Sequence, residues 1–497
     1  MTIEKIKLSN LNLPGFNTNS LPGEIKEVIK TLSLMDCDIY LIGGYVRDML
    51  LKQDSTDLDF IVIDVDTVEL CEELVNKFNG NYFILDELTK TVRFVLKEDN
   101  SEAFTLDFTP TLKANLEKDF ARRDFTINTL AIYLKEPDVL IDSFAGLNDL
   151  KLRKIKAVSL DNLREDPLRF LRAFRFAAIL NGSIEDEVIE YISNNLNYFD
   201  SSVSAERIST ELFKILDRDN SHKYLKQVAD SGLLEKIIPE FTPMKKVTPN
   251  DHHHLWLFDH TIELIKTFED NFCKIPQWVQ EDLNKSFGLL SSPTVKSIGK
   301  LGCLFHDIGK PGTWEIKTLD DGKNEKHTFY GHDKVGAEIT EKIAERLKFS
   351  NSITETVCKL VRYHLRPFQL QQANAPITQR ALYRFFRDVG GDTPLLLMLA
   401  MADLYATCGP KVTEETLLNG ERLLLFLFEE YRKYKDYETE KAKKPKLLDG
   451  NEIMKLTSLK PSPILGQLMK DLDEAIAIGE VKTKDEATAW VIKIANS

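Results

Sequence analysis

The sequence has no apolar run of about 18 residues, the length that a membrane-crossing helix needs, and no membrane association is expected. Its first residues, MTIEKIKLSNLNLPGF, have neither the apolar core of a signal peptide nor the Arg-rich, acid-poor character of a transit sequence, so a cytoplasmic location is expected. No CxxC spacing occurs. The six cysteines, Cys37, Cys71, Cys273, Cys303, Cys358 and Cys408, are scattered, which argues against a zinc ribbon or a redox pair and reads as reduced, mostly buried thiols. Low-complexity tracts and internal repeats are also lacking. So is an excess of positive charge: the net charge of −13 argues against a generic nucleic-acid binder, so any RNA site must be locally basic. Basic residues gather at 113–123, 164–175 and 441–446, the last of which reads first as a solvated charged face.

What is present is enough chain for three or four domains at roughly 100 to 200 residues each. With 43% hydrophobic and 29% charged residues, the composition is that of a soluble globular protein. Between 39 and 139, short β-rich runs (IYLIGG, LDFIVI, NYFIL, TVRFVL, AFTLDF) alternate with helical patterns, which predicts a small mixed α/β domain. Beyond Asp161, stretches such as LRFLRAFRFAAIL and EETLLNGERLLLFLFEEYRKY carry apolar residues at helical spacing, and the remainder is expected to be α. The Lys- and Glu-rich segment 436–446 reads as a linker before a last helical module.

The most informative segment is LIGGYVRDMLLKQDSTDLDFIVID. Asp57 and Asp59 alternate with Leu58 and Phe60, so in a strand both carboxylates leave one face while the apolar pair enters the core. Carboxylates placed in this way can hold a pair of Mg²⁺ ions that activate a 3′ hydroxyl and stabilise departing pyrophosphate oxygens. A bare DxD also arises in surface loops. Gly43 and Gly44 stand between a buried strand and a helix expected from near Val46, where backbone N–H groups can approach a triphosphate. A tight turn is the plainer reading of the glycines alone. Taken together, GGxVRDxLL followed by DxD resembles the class II tRNA nucleotidyltransferases and bacterial poly(A) polymerases of the polymerase β superfamily, over the first half of the chain.

That resemblance implies a fold: an α/β nucleotidyltransferase head with a polymerase β-like mixed sheet (1–150), an all-α neck with a nucleotide-selecting motif (151–240), an HD-type metal-binding helical body (241–435), and a linker with a small helical tail (436–497). It also implies roles. Arg47, within the glycine segment, joins Gly43 and Gly44 in nucleotide binding, and Asp107 in TLDFTP takes the place of a third, less essential carboxylate. KDFARRDFTINTLAIY resembles the family's RRD motif and places Arg123, Asp124 and Asn128 near the incoming ribose and triphosphate. IDSFAGLNDLKLRKIK resembles the next motif, with Asp142, Gly146 and Asp149 in a segment that flexes as the nucleotide is placed.

In REDPLRFLRAFRF, Asp166 is expected to open a helix, with Pro167 in its first turn and Arg169 one turn on. An Asp acceptor beside an Arg donor imitates a template base: it suits N4 and N3 of cytosine or N6 and N1 of adenine, and opposes uracil and guanine. In an isolated helix the same pair reads as an i,i+3 salt bridge; within an EDxxR pattern that resembles the family's selector it reads as base selection. Arg172 and Arg175 are candidate phosphate ligands. In AERISTEL, Glu206, Arg207 and Glu211 are expected to brace the neck.

The sequence departs from the family where CCA-adding members carry a flexible loop before the RRD motif. Only TPTLKANLEKDFA lies between Phe108 and Arg122. Such shortening is typical of relatives that add the two cytidines and leave the terminal A to a separate A-adding enzyme. The expectation is therefore a tRNA 3′-end nucleotidyltransferase that uses CTP and adds CC. Full CCA addition with CTP and ATP, poly(A) polymerase activity, and an HD phosphohydrolase with an RNA-binding head stay open as alternatives.

The helical part holds LFDHTIELI, CLFHDIGKPG, YGHDKVGAEI, VRYHLRPF and MADLYAT. His260, His306, Asp307, His332, His364 and Asp403 resemble the ligand set of an HD-type metal phosphohydrolase. Imidazoles with carboxylates suit Mn²⁺, Fe²⁺ or Ni²⁺, and a bound ion can activate water against a phosphoester. Removal of 2′- or 2′,3′-phosphates from damaged RNA ends is the expected activity, although such a set also serves structure alone. His252, His253 and His254 form a cluster with no assigned role. The segment from Leu447 onward resembles a helical tail that holds the tRNA elbow by shape; a capping helical bundle is an equal reading.

Overall fold

The computed structural model describes residues 4–11, 13, 15–17, 21, 23–96, 104–112, 116–199, 203–249, 255–288, 293–318, 325–371, 376–407, 409, 412–443 and 445–495. Lys113, His252, His253, His254, Cys408 and Lys444 lie outside them. The chain forms two compact units, residues 1–211 with 227–233, and residues 212–226 with 234–497.

In the first unit, eight strands make one mixed sheet: β1 (Lys5–Lys7), β2 (Ile39–Ile42), β3 (Asp57–Ile63), β4 (Gly80–Asp86), β5 (Thr91–Leu96), β6 (Phe104–Thr111), β7 (Ala131–Tyr133) and β8 (Val139–Ile141). Their order is β1-β8-β7-β2-β3-β6-β5-β4. β3 and β6 run parallel at the centre, and the other neighbours are antiparallel. The alternation expected of LDFIVI holds: Leu58 and Phe60 are buried, and Phe60 stacks on Phe108 of β6 with ring centroids 5.2 Å apart. Each such buried side chain contributes roughly 1.5–3 kcal/mol, which pins the register and with it the two carboxylates on the opposite face. The unit ends in helices, among them Leu160–Glu165, Leu168–Leu180 and the start of Ala205–Leu216.

The second unit is helical apart from a hairpin of Glu315–Thr318 and Glu325–Thr328. Helix Thr393–Ala406 is apolar on every side and buried from Thr393 to Ala402, and its one carboxylate, Asp403, follows that buried stretch and is itself partly buried. The linker expected from Asp436 is helical as far as Ala442, within a helix running Glu414–Ala442. Ion pairs Lys441–Glu438 and Lys443–Glu440, and Tyr434 packed on Tyr383 and Phe386, explain why this charged stretch does not uncoil. Three further helices, Gly450–Thr457, Pro463–Ala477 and Lys484–Ala495, close over a core of their own that includes Leu448, Ile453, Leu468, Leu472 and Val491. Among the described residues no helix is long and apolar enough to cross a membrane.

Candidate active site and buried metal centre

In the first unit, β2 is followed by Gly43, whose φ of +70° is one that L side chains rarely adopt. A Cβ there would lie 3.3 Å from Arg123 Nη1 and 3.5 Å from Asp59 Oδ2, so the turn, the carboxylate and the arginine share one small space. The following helix starts at Gly44 and runs to Leu50, slightly ahead of the expected start at Val46.

Parallel pairing of β3 with β6 sets Asp57 opposite Thr105 and Asp59 opposite Asp107. Burial pushes the Asp59 carboxyl up to about 6; Arg123 opposes this, and the neighbouring charges of Asp107 and Asp57 add to it. Three carboxylates crowded in this way are the electrostatic setting that a divalent cation relieves. Asp107 differs from the other two in being clamped by Arg93 of β5 through two bonds of 2.7 Å, a partner that the sequence reading did not single out.

Arg123 is steadied by Asp119 at 3.2 Å, and Asn128 joins Arg47 to Asp124. Burial would raise the Asp124 carboxyl, but Arg172, Asn128 and the Phe125 N–H together hold it below its ordinary value. Asp124, Asn128, Arg47 and Arg172 thus form one connected network. Arg175 departs from the expectation of a phosphate ligand. It is buried, stacks on Phe176 and pairs with Glu211 at 2.5 Å, so its charge faces inward; burial brings its guanidinium down to about 10. Asp142 accepts from the N–H groups of Gly146 and Leu147, and Asp149 accepts from Thr126, so these three residues fix a turn against the RRD segment.

Asp166 stands just past the end of Leu160–Glu165 and opens the next helix as expected: its Oδ1 accepts from the Leu168 N–H at 3.3 Å and its carbonyl from the Arg169 N–H at 2.9 Å. It makes no i,i+3 ion pair with Arg169 among the contacts of the described residues. Instead Asp166 accepts from Arg207 at 2.7 Å, and Arg169 donates to the Asn162 carbonyl at 2.8 Å. Asn162 in turn donates to the carbonyls of Ala121 and Arg123, both at 2.7 Å. The bracing role expected of Arg207 is therefore exerted on Asp166 itself, and Asn162 couples the pair to the RRD segment.

In the second unit the six expected donors converge. His306 and Asp307 lie immediately past the end of helix Val295–Phe305, in the turn that follows it. His260, His306, Asp307, His332 and His364 are all buried. Two groups have ligand atoms close enough to hold an ion: His260 with His306 and Asp307, and Asp307 with His332 and His364. Asp403 lies 3.2 Å from His260 Nε2. Burial works against the Asp307 charge, yet His306 and Lys310 hold its carboxyl well below the ordinary range, and burial brings His364 down to about 4. The donor set fits a borderline divalent ion.

Three families match the chain: the poly A polymerase head domain over residues 39–156, a probable RNA and SrmB-binding site of polymerase A over 183–245, and the HD domain over 280–407. The HD match takes in His306, Asp307, His332, His364 and Asp403, while His260 lies upstream of it. An A-adding tRNA nucleotidyltransferase of Deinococcus radiodurans is 33% identical, with 91% of this chain and 94% of that protein aligned. A CC-adding tRNA nucleotidyltransferase of Thermus thermophilus is 30% identical, with 92% and 93% aligned. The solved complex of a CCA-adding enzyme with CTP is 19% identical, with 100% of both chains covered at a TM-score of 0.62, which shows a shared fold.

Proposed function

The chain belongs to the tRNA nucleotidyltransferase family, and on that premise we propose that its head adds cytidylate from CTP to the 3′ end of tRNA and stops after two residues. The observation that carries the stop is the connection before the RRD segment. β6 ends at Thr111 and the next helix begins at Leu116, which leaves little chain for a loop that could reshape the site from C to A. A separate A-adding enzyme would complete the end.

In this reading Asp57 and Asp59 hold Mg²⁺, which when bound activates the 3′ hydroxyl and stabilises the leaving pyrophosphate. Asp107, restrained by Arg93, contributes less. Arg123 and the Arg47–Asn128–Asp124–Arg172 network seat the sugar and phosphates beside the Gly43–Gly44 turn. Asp166 accepts from cytosine N4 while Arg169 donates to N3. Catalysis comes from positioning and charge, with little covalent chemistry by the protein.

The test is incubation of the protein with Mg²⁺ and tRNA ending at the discriminator base, with CTP, ATP or both, and sizing of products on a sequencing gel. A stop at two added residues in both CTP lanes, with nothing from ATP alone, is expected. A third residue when both are supplied overturns the CC reading in favour of CCA addition. A single residue from ATP on tRNA already ending in CC makes it an A-adding enzyme, and long tails from ATP alone make it a poly(A) polymerase.

Arg207→Ala tests the selector separately. It frees the Asp166 carboxylate from a half-exposed ion pair worth up to about 1 kcal/mol, so kcat/KM for CTP is expected to fall by up to about fivefold. UTP discrimination should weaken with it, measured by single-nucleotide incorporation. An unchanged CTP to UTP ratio would show that Asp166 does not depend on Arg207.

The complete His/Asp set favours a second activity, hydrolysis of 2′- or 2′,3′-phosphates at RNA ends by the second unit. It would be scored as phosphate release that survives Asp59→Ala.

A further inference from the structure

We propose that Phe83, on the edge strand β4, is a stacking platform for the RNA strand being extended, its ring lying against the unpaired base that precedes the reacting nucleotide. This deepens the reading that the head extends an RNA 3′ end and depends on it, whichever nucleotide is added.

The register of the sheet carries the inference. Asp59 stands opposite Asp107, Asp107 opposite Arg93, and Arg93 opposite Phe83. Residues paired directly across neighbouring strands share a face, so these four side chains form one row from the metal-binding carboxylate to the edge of the sheet. At about 4.8 Å per strand the row spans roughly 14 Å. The next row, Ile84, Val92, Phe108 and Phe60, lies on the opposite face and is buried from Val92 inward. That face is covered at the edge as well, where Tyr82 donates to Glu72 of helix Thr67–Lys77 at 3.1 Å. Phe83 is therefore on the open face, and it is 48% exposed. Ile84, Leu85 and Leu88 are exposed too, and four large apolar residues within one short hairpin make a patch rather than scatter.

The geometry of the reaction points to acceptor RNA as the occupant. Gly43 and Arg123, proposed to seat the triphosphate, meet Asp59 at the end of β2, and β6 lies on the other side of β3. Phosphoryl transfer sets the attacking and leaving oxygens in line across the phosphorus. A triphosphate on the β2 side thus places the attacking 3′ hydroxyl on the β6 side, and the strand that bears it runs out over Asp107, Arg93 and Phe83. Arg93 offsets the charge of Asp107 along that path, which would otherwise repel phosphodiesters. A cationic side chain beside an exposed aromatic ring is the pairing that single-stranded nucleic acid sites use.

The test measures KM and kcat of the full chain on tRNA lacking only the last residue that the protein adds. Phe83→Ala is expected to raise KM for tRNA about tenfold through loss of one base stack, with kcat and KM for the nucleotide unchanged. Phe83→Trp should keep the wild-type KM, as should Ile84→Ala, which is next in sequence but on the covered face. A tRNA with an abasic residue in place of its penultimate nucleotide should cost the wild type the same factor and Phe83→Ala nothing further. Circular dichroism reports whether each variant is folded. An unchanged KM in Phe83→Ala, an equal rise in Ile84→Ala, or an abasic substrate on which wild type and Phe83→Ala still differ overturns the inference. So does a dimer by sedimentation that Phe83→Ala dissociates, since the edge would then belong to a second copy. A wild-type protein that transfers no nucleotide to tRNA overturns the proposed function itself, and the inference with it.

Discussion

Asp59→Ala is expected to lower nucleotide transfer by at least about a thousandfold, with tRNA affinity and Mn²⁺ binding by the second unit unchanged. A metal-held transition state is worth several kcal/mol, and each 1.36 kcal/mol is tenfold in rate. Asp59 is the carboxylate beside the Gly43 turn, and burial together with the neighbouring charges of Asp107 and Asp57 works against its ionised form. Asp57→Ala should approach the same loss. Asp107→Ala should cost markedly less, because its two oxygens already bind Arg93. Single-turnover CTP incorporation ranks the three; an Asp107 variant as defective as the Asp59 variant would contradict the order. The pH dependence has a definite sign. With its carboxyl raised to about 6, Asp59 keeps a proton in the folded head that the unfolded chain has already lost, so head stability without a divalent ion falls as pH rises from about 4 to 6. Mg²⁺ competes with that proton, so activity should climb through pH 6 and the rise should move to lower pH as Mg²⁺ is increased.

How much of this site the sequence reveals depends on whether a residue's partner is local. Asp57 and Asp59 are legible because strand alternation is a local rule, and the burial of Leu58 and Phe60 obeys it. Asp124 and Asn128 sit four apart in one motif and bond each other. Arg93 lies in TVRFVL, where alternation marks it as facing away from Val92 and Phe94, but nothing in that run says that β5 pairs with β6 and delivers Asp107 to it. The same holds for Arg207 with Asp166 and for Asn162 with the Arg123 carbonyl, contacts made across tens of residues. Arg175 misleads in the opposite sense. Its spacing from Arg172 suggests a phosphate-facing pair, whereas burial of Phe174, Phe176 and Ala178 turns that side of the helix inward and leaves Glu211 to meet the charge. The six metal-centre donors are legible as types, yet the two groups that share Asp307 appear only when helix ends are placed in space.

Glu269→Ala is expected to destabilise the second unit by roughly 3–5 kcal/mol, the cost of leaving a buried charge without its partner. The charge is Lys300, fully buried on helix Val295–Phe305. Its ammonium donates to Glu269 Oε1 at 2.6 Å and to the carbonyls of Leu216 and Arg218, at 3.0 and 2.8 Å, so it also closes the end of helix Ala205–Leu216. Glu269 accepts from Ser221 through both N–H and Oγ and meets His222 Nδ1 at 2.5 Å. Burial would raise this carboxyl, but His222, Lys300 and Ser221 bring it down to about 2. A depressed carboxylate contributes its stability in full above the ordinary glutamate range and loses it as pH falls through about 4.5 toward 2, a contribution on the order of 3 kcal/mol. Urea unfolding of the second unit at neutral pH and at pH 3 is the measurement. The wild-type midpoint should drop on acidification, the Glu269→Ala midpoint should start lower and move less, and Lys300→Met combined with Glu269→Ala should recover part of the loss, because it removes the orphaned charge as well. If the double variant were no more stable than Glu269→Ala alone, the cost would lie in the cavity and the Ser221 and His222 bonds rather than in the buried ammonium.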